Sequence, residues 1–388
     1  MIRHSINIKS FSFRHNSANL KKFLLSSYEE LIKSDNHILL SMKKNYKDSY
    51  SKKFIQKLKK FKNINLIGMG GSVLGSKAIY NFLYSKRKKI NFFDNFSNIN
   101  FSQRSEKKLN IIISKSGNTL ETISNSNVLI KNSKNIFLTE NKKSYLTDLA
   151  KKLKSEVIHH NNFIGGRYSV LSEVGMLPAE LMGYKPEKFR RFNKLIHDNK
   201  FTKILIQNVS DILYLLKKNK TNSVILNYDD KSNDLFSWYQ QLVAESLGKK
   251  NKGIMPIISS MPKDNHSLMQ HYLGGLKNNF YTLFFVKEKN SKKIFNKNLL
   301  ESYAYLNGKS LNEISFSQFC ATEKVFKKKN IPFRSFIINK RSEETLGELF
   351  SFFILETILL SKAMNVDPYN QPAVELIKNE TQKIINKS

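Results

Sequence analysis

Leu109-Asn110-Ile111-Ile112-Ile113-Ser114-Lys115-Ser116-Gly117-Asn118-Thr119-Leu120-Glu121-Thr122 decides how this chain is read. Its first five residues form an apolar run of the kind that makes a buried strand, and the polar residues behind it read as a turn into a helix. Four hydroxyls, one glycine and one lysine fall in that turn. Ser and Thr at a helix start are common as caps, which accounts for one or two of them. The remainder, with Lys115 and the unpaired N–H groups of a helix start, suits a small phosphate. A phosphorylated metabolite is the expected ligand.

Outward from that turn the same alternation repeats. Ile64–Ile67, Ile90–Phe93 and Asn135–Leu138 are further short apolar runs separated by amphipathic stretches, the pattern of a parallel sheet between helices. A second series follows at Ser223–Leu226, Ile254–Ile258, Tyr281–Val286 and Phe333–Ile338. The expected organisation is a mostly helical N-terminal arm at 1–60, a first α/β domain at 61–190, a second at 200–340, and C-terminal helices at 341–388. Helical material around 184–220 joins the two domains. Glu343–Met364 and a shorter helix from Pro372 close the chain, with Pro372 in a favourable first-turn position.

The composition bounds the function classes. The chain has 388 residues, 40% of them hydrophobic, enough to bury sizeable cores. Its single cysteine, Cys320, excludes an intrachain disulfide framework and fits a reducing compartment. Met1-Ile2-Arg3-His4-Ser5-Ile6 opens no apolar signal core. The most apolar stretch, Leu349 to Leu360, is too short to span a bilayer and contains Glu356. A soluble cytoplasmic protein is expected, with no membrane partner. Lys+Arg 65 against Asp+Glu 31 gives +34, which invites a nucleic-acid reading. The lysines, however, are spread along the whole length, as at Lys217-Lys218 and Lys327-Lys328-Lys329. A solvated basic surface is the expectation, and no nucleic-acid partner.

Five further segments carry candidate chemistry. Gly68-Met69-Gly70-Gly71-Ser72 follows the first strand; a dinucleotide loop, with Asp94 after the next strand, is one reading, but Val73 occupies the third glycine position. Close approach to a sugar phosphate with Ser72 as donor is another, and a plain strand-to-helix turn fits as well. Gly165-Gly166-Arg167-Tyr168-Ser169 would bring backbone and a fixed cation near a ligand; a lone arginine there also reads as an ion-pair partner. Asp234 to Lys249 reads as a helix burying Leu235, Trp238, Tyr239 and Leu242. Glu245 shares that stripe, where desolvation would raise its pKa toward general-base use. Gln241 sits one turn earlier. Spacing alone favours an edge glutamate reaching solvent. His266 falls where a helix start is expected, near Asp264, a setting that favours neutral imidazole; a structural histidine fits the spacing better. His271, farther along the same helix, reads as structural. Lys378, in Asn370-Gln371-Pro372-Ala373-Val374-Glu375-Leu376-Ile377-Lys378, is by spacing a surface lysine.

Taken in order, these segments resemble the glucose-6-phosphate isomerase (phosphoglucose isomerase) family, from about Ile64 to Lys378. Ala373 stands where the family commonly has glycine, and Asn265 where it usually has glutamine. The resemblance implies two sugar-isomerase (SIS) domains, each a parallel sheet flanked by helices, working as a homodimer with shared sites. It implies aldose–ketose isomerisation of glucose 6-phosphate and fructose 6-phosphate through a cis-enediol, in glycolysis and gluconeogenesis, with no metal or organic cofactor. Ser114, Lys115, Ser116 and Thr119 would hold the phosphate, with Ser72 and Gly71 nearby. Glu245 would move the proton between C2 and C1, and Arg167 would stabilise the charge that develops. His266, from the neighbouring subunit, and Lys378 would assist ring opening. Glu121, Gly166, Gln241 and Gln371 would complete the substrate contacts. A dual phosphoglucose/phosphomannose isomerase and a non-catalytic sugar-phosphate sensor on the same domains are the rivals.

Overall fold

In the computed structural model, the apolar runs form two five-stranded sheets. The described residues are 5–15, 17–84, 88–96, 108–131, 133–295, 297 and 299–387, so Met1 to His4, read above for a signal segment, lie outside them. The first sheet contains β2 (Asn63–Gly68), β3 (Lys89–Phe93), β4 (Lys108–Ile113), β5 (Ser133–Glu140) and β6 (Glu156–His160), in the order β3-β2-β4-β5-β6 with every pairing parallel. The second contains β1 (Ile6–Lys9), β7 (Asn222–Asn227), β8 (Met255–Ser260), β9 (Asn279–Val286) and β10 (Phe333–Ile338), in the order β1-β10-β9-β7-β8. Its pairings are parallel except β1 on β10, which is antiparallel.

Two of these strands escape a reading by apolar runs. β1 belongs to the arm expected to be mostly helical. Its alternation Ile6-Asn7-Ile8-Lys9 suits a half-buried edge strand, with Ile6 buried and Asn7 exposed. The arm therefore pairs with the far end of the chain before its helices begin at α1 (Ala18–Lys33). β6 carries two histidines and a glutamate, which mask a strand whose buried residues are Ile158 and His160.

The helices that position the site are α2 (Leu74–Leu83), α3 (Leu120–Leu129), α4 (Glu173–Leu181), α5 (Asn199–Lys217), α6 (Asn233–Leu247), α7 (Met269–Gly274), α8 (Leu311–Lys328), α9 (Glu343–Met364) and α10 (Pro372–Ile385). One apolar core joins the inner faces of both sheets through α5, α6 and α9. The outer face of the first sheet is covered around Ile67, Ile112 and Phe137, and that of the second by α8 through Phe319 and Phe326.

The apolar stretch Leu349 to Leu360 is the middle of α9, buried on every side. Glu356, the residue that argued against a membrane span, meets Arg334 of β10 in a bidentate pair, both side chains 1% exposed. Arg334 also donates to Thr282 and Asn208, so its charge enters the core with its donors met. Among the described residues, no helix is long and apolar enough to cross a membrane.

Polar residues lock the first sheet's register. Asn91, Asn65, Asn110 and Asn135 stand side by side on β3, β2, β4 and β5. Their amides bond in series, Asn91 to Asn65 at 3.0 Å, Asn65 to Asn110 at 2.9 Å and Asn110 to Asn135 at 2.8 Å. A one-residue slip would bury these amides unpaired, so the ladder admits one alignment.

Candidate functional site

The first sheet's strand order reverses direction at β2. The chain moves outward to β3 and then returns to β4 on the other side, which leaves a crevice beyond the carboxyl ends of β2 and β4. The two loops singled out from sequence, Gly68–Ser72 and Ser114–Thr119, leave those two ends. A cleft of about 1230 Å³ opens there between Met69, Gly70, Thr119 and Glu121 on one side, Gln241 to Lys252 on another, and Asp367 to Lys378 on a third.

Gly68–Ser72 is shaped by contact with protein. Gly70 has φ +52, and a Cβ on it would fall 2.7 Å from Gln241 Nε2. A Cβ on Gly71 would stand 2.1 Å from the Gly166 carbonyl carbon. The two glycine-led turns thus lie backbone against backbone, and their small size brings Arg167 up to the cleft. Ser72 is half-buried in the short turn Gly70–Ser72, and Asp94 is engaged by Lys77 at 2.8 Å.

The Ser114 segment is likewise occupied with its own turn. Ser114 is buried, hydrogen-bonds Thr119 Oγ1 at 2.8 Å and accepts from Gly117 N–H at 3.2 Å. Gly117 has φ +68, which the turn requires. Ser116 accepts from Asn118 N–H and is exposed, while Lys115 lies 3.4 Å from Glu140. Thr119 and Glu121, at the start of α3, reach the cleft lining.

Glu245, Gln241, Arg167 and Gln371 come together at the cleft wall. Arg167 is buried and donates through Nη1 to Glu245 Oε1 at 2.6 Å and to Gln371 Oε1 at 3.0 Å. Its Nε donates to Ser246 Oγ at 2.9 Å, and its Nη2 to the Pro368 and Asn370 carbonyls. Gln241 Nε2 donates to Glu245 Oε2 at 2.9 Å. Glu245 lies at the edge of its apolar stripe and reaches solvent, as the spacing favours: its side chain is 21% exposed and paired, because that edge faces the cleft and Arg167 enters there from the other glycine turn. Burial pushes the neighbouring Tyr168 hydroxyl up to about 12, against the pull of its Ser246 hydrogen bond and the Arg167 charge.

Lys378 lines the same cleft from α10 but is 60% exposed and paired with Glu375 at 2.6 Å. His266 stands apart. It follows the short turn Lys263–Asn265, three residues before α7 begins, so it does not occupy the first helical turn expected for it. Asp264 causes this by bonding locally, accepting from the Ser259 hydroxyl and the Ser260 N–H with Oδ2 and from the Ser267 hydroxyl with Oδ1. His266 is exposed and lies outside the cleft lining; His271 lies on α7, also exposed.

Residues that were given no role from sequence also build the site. Ser246 joins Arg167 to Tyr168, whose hydroxyl lies 2.8 Å from it. The carbonyls of Pro368 and Asn370 hold the guanidinium. Lys249 was visible four residues after Glu245, a spacing that places it one helical turn on; the carbonyl acceptors leave no side-chain pattern to read.

The phosphoglucose isomerase family model matches residues 17–259, which include Arg167 and Glu245 but stop before His266, Gln371 and Lys378. The glucose-6-phosphate isomerase of Methanocaldococcus jannaschii is 30% identical over 349 residues, 84% of each chain. That of Campylobacter jejuni is 31% identical over 365 residues, covering 87% of this chain and 88% of its own. Among solved structures, a glucose-6-phosphate isomerase from Chlamydia trachomatis superposes with a TM-score of 0.76 at 19% identity, over 99% of this chain and 90% of that one. The fold, the glycine turns meeting at Arg167 and these likenesses lead to one placement: the chain belongs to the phosphoglucose isomerase family.

Proposed function

We propose that the chain catalyses the reversible isomerisation of glucose 6-phosphate and fructose 6-phosphate, acting in glycolysis and gluconeogenesis in the cytoplasm. The observation that carries this reading is the contact of Glu245 with Arg167 at 2.6 Å on the cleft wall, with Gln241 and Gln371 closing around the pair. A carboxylate that moves a proton between adjacent carbons generates an oxyanion, and a buried guanidinium beside it is already oriented to receive that charge.

In this proposal Glu245 takes the proton from C2 of the aldose and returns it to C1 through a cis-enediol. Arg167 exchanges part of its hold on Glu245 for the enediolate oxygen as substrate enters. Thr119, Ser116, Lys115 and Ser114 hold the phosphate with Ser72, which requires Ser114 and Lys115 to give up their present partners. Gly71, Gly166, Glu121, Gln241 and Gln371 frame the sugar, and Lys378 assists ring opening. His266 is exposed and outside its own cleft, which supports its delivery to the cleft of a second copy in a homodimer. Residues 61–190 and 200–340 are taken as the two sugar-isomerase units.

The test is conversion of fructose 6-phosphate by purified protein, with glucose and mannose 6-phosphates resolved. Glucose 6-phosphate as the sole product supports the reading, and both products would make it a dual isomerase. Neither product from folded, ligand-binding protein would reduce it to a sensor. Inactive His266→Ala and Glu245→Gln chains, mixed under subunit exchange, recover activity if the histidine crosses between subunits.

A further inference from the structure

Lys249 lines the cleft just beyond Glu245, where a lysine invites reading as a grip for the substrate's phosphate. Its donors are already committed. The ammonium donates to the carbonyls of Glu245 at 2.9 Å, Ser246 at 2.8 Å and Asp367 at 2.7 Å. An ammonium has three N–H groups and accepts nothing, so these contacts saturate it. Two of the acceptors belong to the last turn of α6, whose carbonyls have no intrahelical partner and form the negative end of the helix. The third belongs to the strap between α9 and α10.

That strap is held along its length by cations. Lys252 donates to Met364 O at 3.0 Å and Lys250 to Asn365 O at 3.3 Å. Arg167 takes Pro368 O and Asn370 O. The next residue, Gln371, meets Arg167 through its side chain, and α10 then carries Lys378 over the cleft. Burial, followed by the nearby Arg167 charge, presses the Lys249 pKa below the ordinary lysine value. A lysine held only for surface charge would not be drawn into such a place.

We propose that Lys249 is a positioning residue for proton transfer: it ties the end of the helix bearing Glu245 to the C-terminal strap, and it does not bind phosphate. The inference rests on the isomerase reading of the cleft. Without the tether the strap would shift relative to α6, and Gln371 and Lys378 would lose their register with Glu245.

Lys249→Met and Lys249→Arg test this. Fructose 6-phosphate turnover is measured together with competitive inhibition by glucitol 6-phosphate, an open-chain phosphate with no carbonyl to isomerise. Misplacement of this kind costs about 100-fold, so Lys249→Met should lose about that in kcat while the inhibition constant moves less than about threefold. Lys249→Arg keeps the charge but cannot converge three donors on these carbonyls, and should fall in between. Hydrogen exchange in Lys249→Met should quicken at 364–371 and stay unchanged in the strands. Unchanged kcat, or an inhibition constant that weakens in step with kcat, would overturn the proposal, the latter in favour of a phosphate ligand. If Lys249→Met does not fold, the same criteria apply to Lys249→Arg. Wild-type protein inert toward fructose 6-phosphate would remove the isomerase reading, and strap exchange would then decide the tether alone.

Discussion

In the first sheet β2 has β3 on one side and β4 on the other; in the second, β7 has β8 on one side and β9 on the other. Both sheets therefore reverse direction beside their first parallel strand, and both form a crevice beyond the strands' carboxyl ends. In the first the crevice is open, walled by glycine turns and bordered by Glu245 and Arg167. In the second it is filled. Asp229, just past β7, and Glu288, just past β9, both receive Arg341 from beyond β10, and Lys231 reaches Glu288 at 3.2 Å. Arg341 also donates to the Phe82 carbonyl in the last turn of α2, so the filled crevice fastens one sheet's layer to the other's. Equal topology supplies two places for a ligand. Whether one becomes a site depends on whether its charges face a cavity or each other.

The largest expected difference is in activity. Glu245→Gln in the open crevice should lower kcat by about 10³-fold or more, within the range that positioned acid–base groups supply, while thermal midpoint and sugar-phosphate binding stay near wild type. Turnover near wild type would break the comparison at its functional end. In the filled crevice Arg341→Met should act on stability, losing about 2 to 3 kcal/mol in urea titrations because it leaves the buried Asp229 without its cation beside Glu288, which keeps only Lys231. A stability change below about 0.5 kcal/mol would show that the plug holds nothing.

Asn110→Leu sharpens the comparison from the other end of the first sheet. It removes the central rung of the amide ladder and strands partners on β2 and β5, for an expected loss of about 1–3 kcal/mol by urea titration, with KM unaltered. The smallest effect is a pH dependence. Burial alone would raise Glu288, but Arg341 and Lys231 hold its carboxyl below the usual 4.5. A carboxyl depressed in the folded state stabilises above its unfolded value, and that share disappears as pH falls from about 4.5 through the folded value. Arg341→Met should flatten this acid limb in stability curves recorded between pH 6 and pH 3. An unchanged limb would assign it to other carboxylates.

Much of the architecture was legible because long apolar runs such as Ile111-Ile112-Ile113 have few alternatives to a buried strand. α9 was readable end to end, since Ser342 caps its start and Asn365 turns left-handed at its end. β1 and β6 were not, because a short strand carrying Asn, Lys or His lacks the composition that marks the others. Gln241 and Glu245, one turn apart, could be placed together from spacing. The pairing of Glu245 with Arg167 could not, since the two lie on separate elements that only the finished fold brings together. The hydroxyls of the Ser114 turn exceed what a helix cap needs, but the surplus stabilises the turn itself: Ser114 bonds both Thr119 and Gly117. His266 was assigned to a helix start from its neighbours, and Asp264 folds back on Ser259 and Ser260 instead.

The pairing of β1 with β10 also constrains how the protein can be made. Ile6 emerges from the ribosome first, and its partner Ile338 follows roughly 330 residues later, about 15 to 65 seconds at ordinary synthesis rates. Through that interval Ile6, Ile8 and Phe11 form an unpaired apolar leader, while the remaining strands of the second sheet have only each other. The edge closes as the C-terminal region arrives, so a chain stopped before Phe333 leaves its first strand as a sticky end. Once β10 pairs with β1 that edge is covered, so exposure of the first strand marks a chain that lacks its last one.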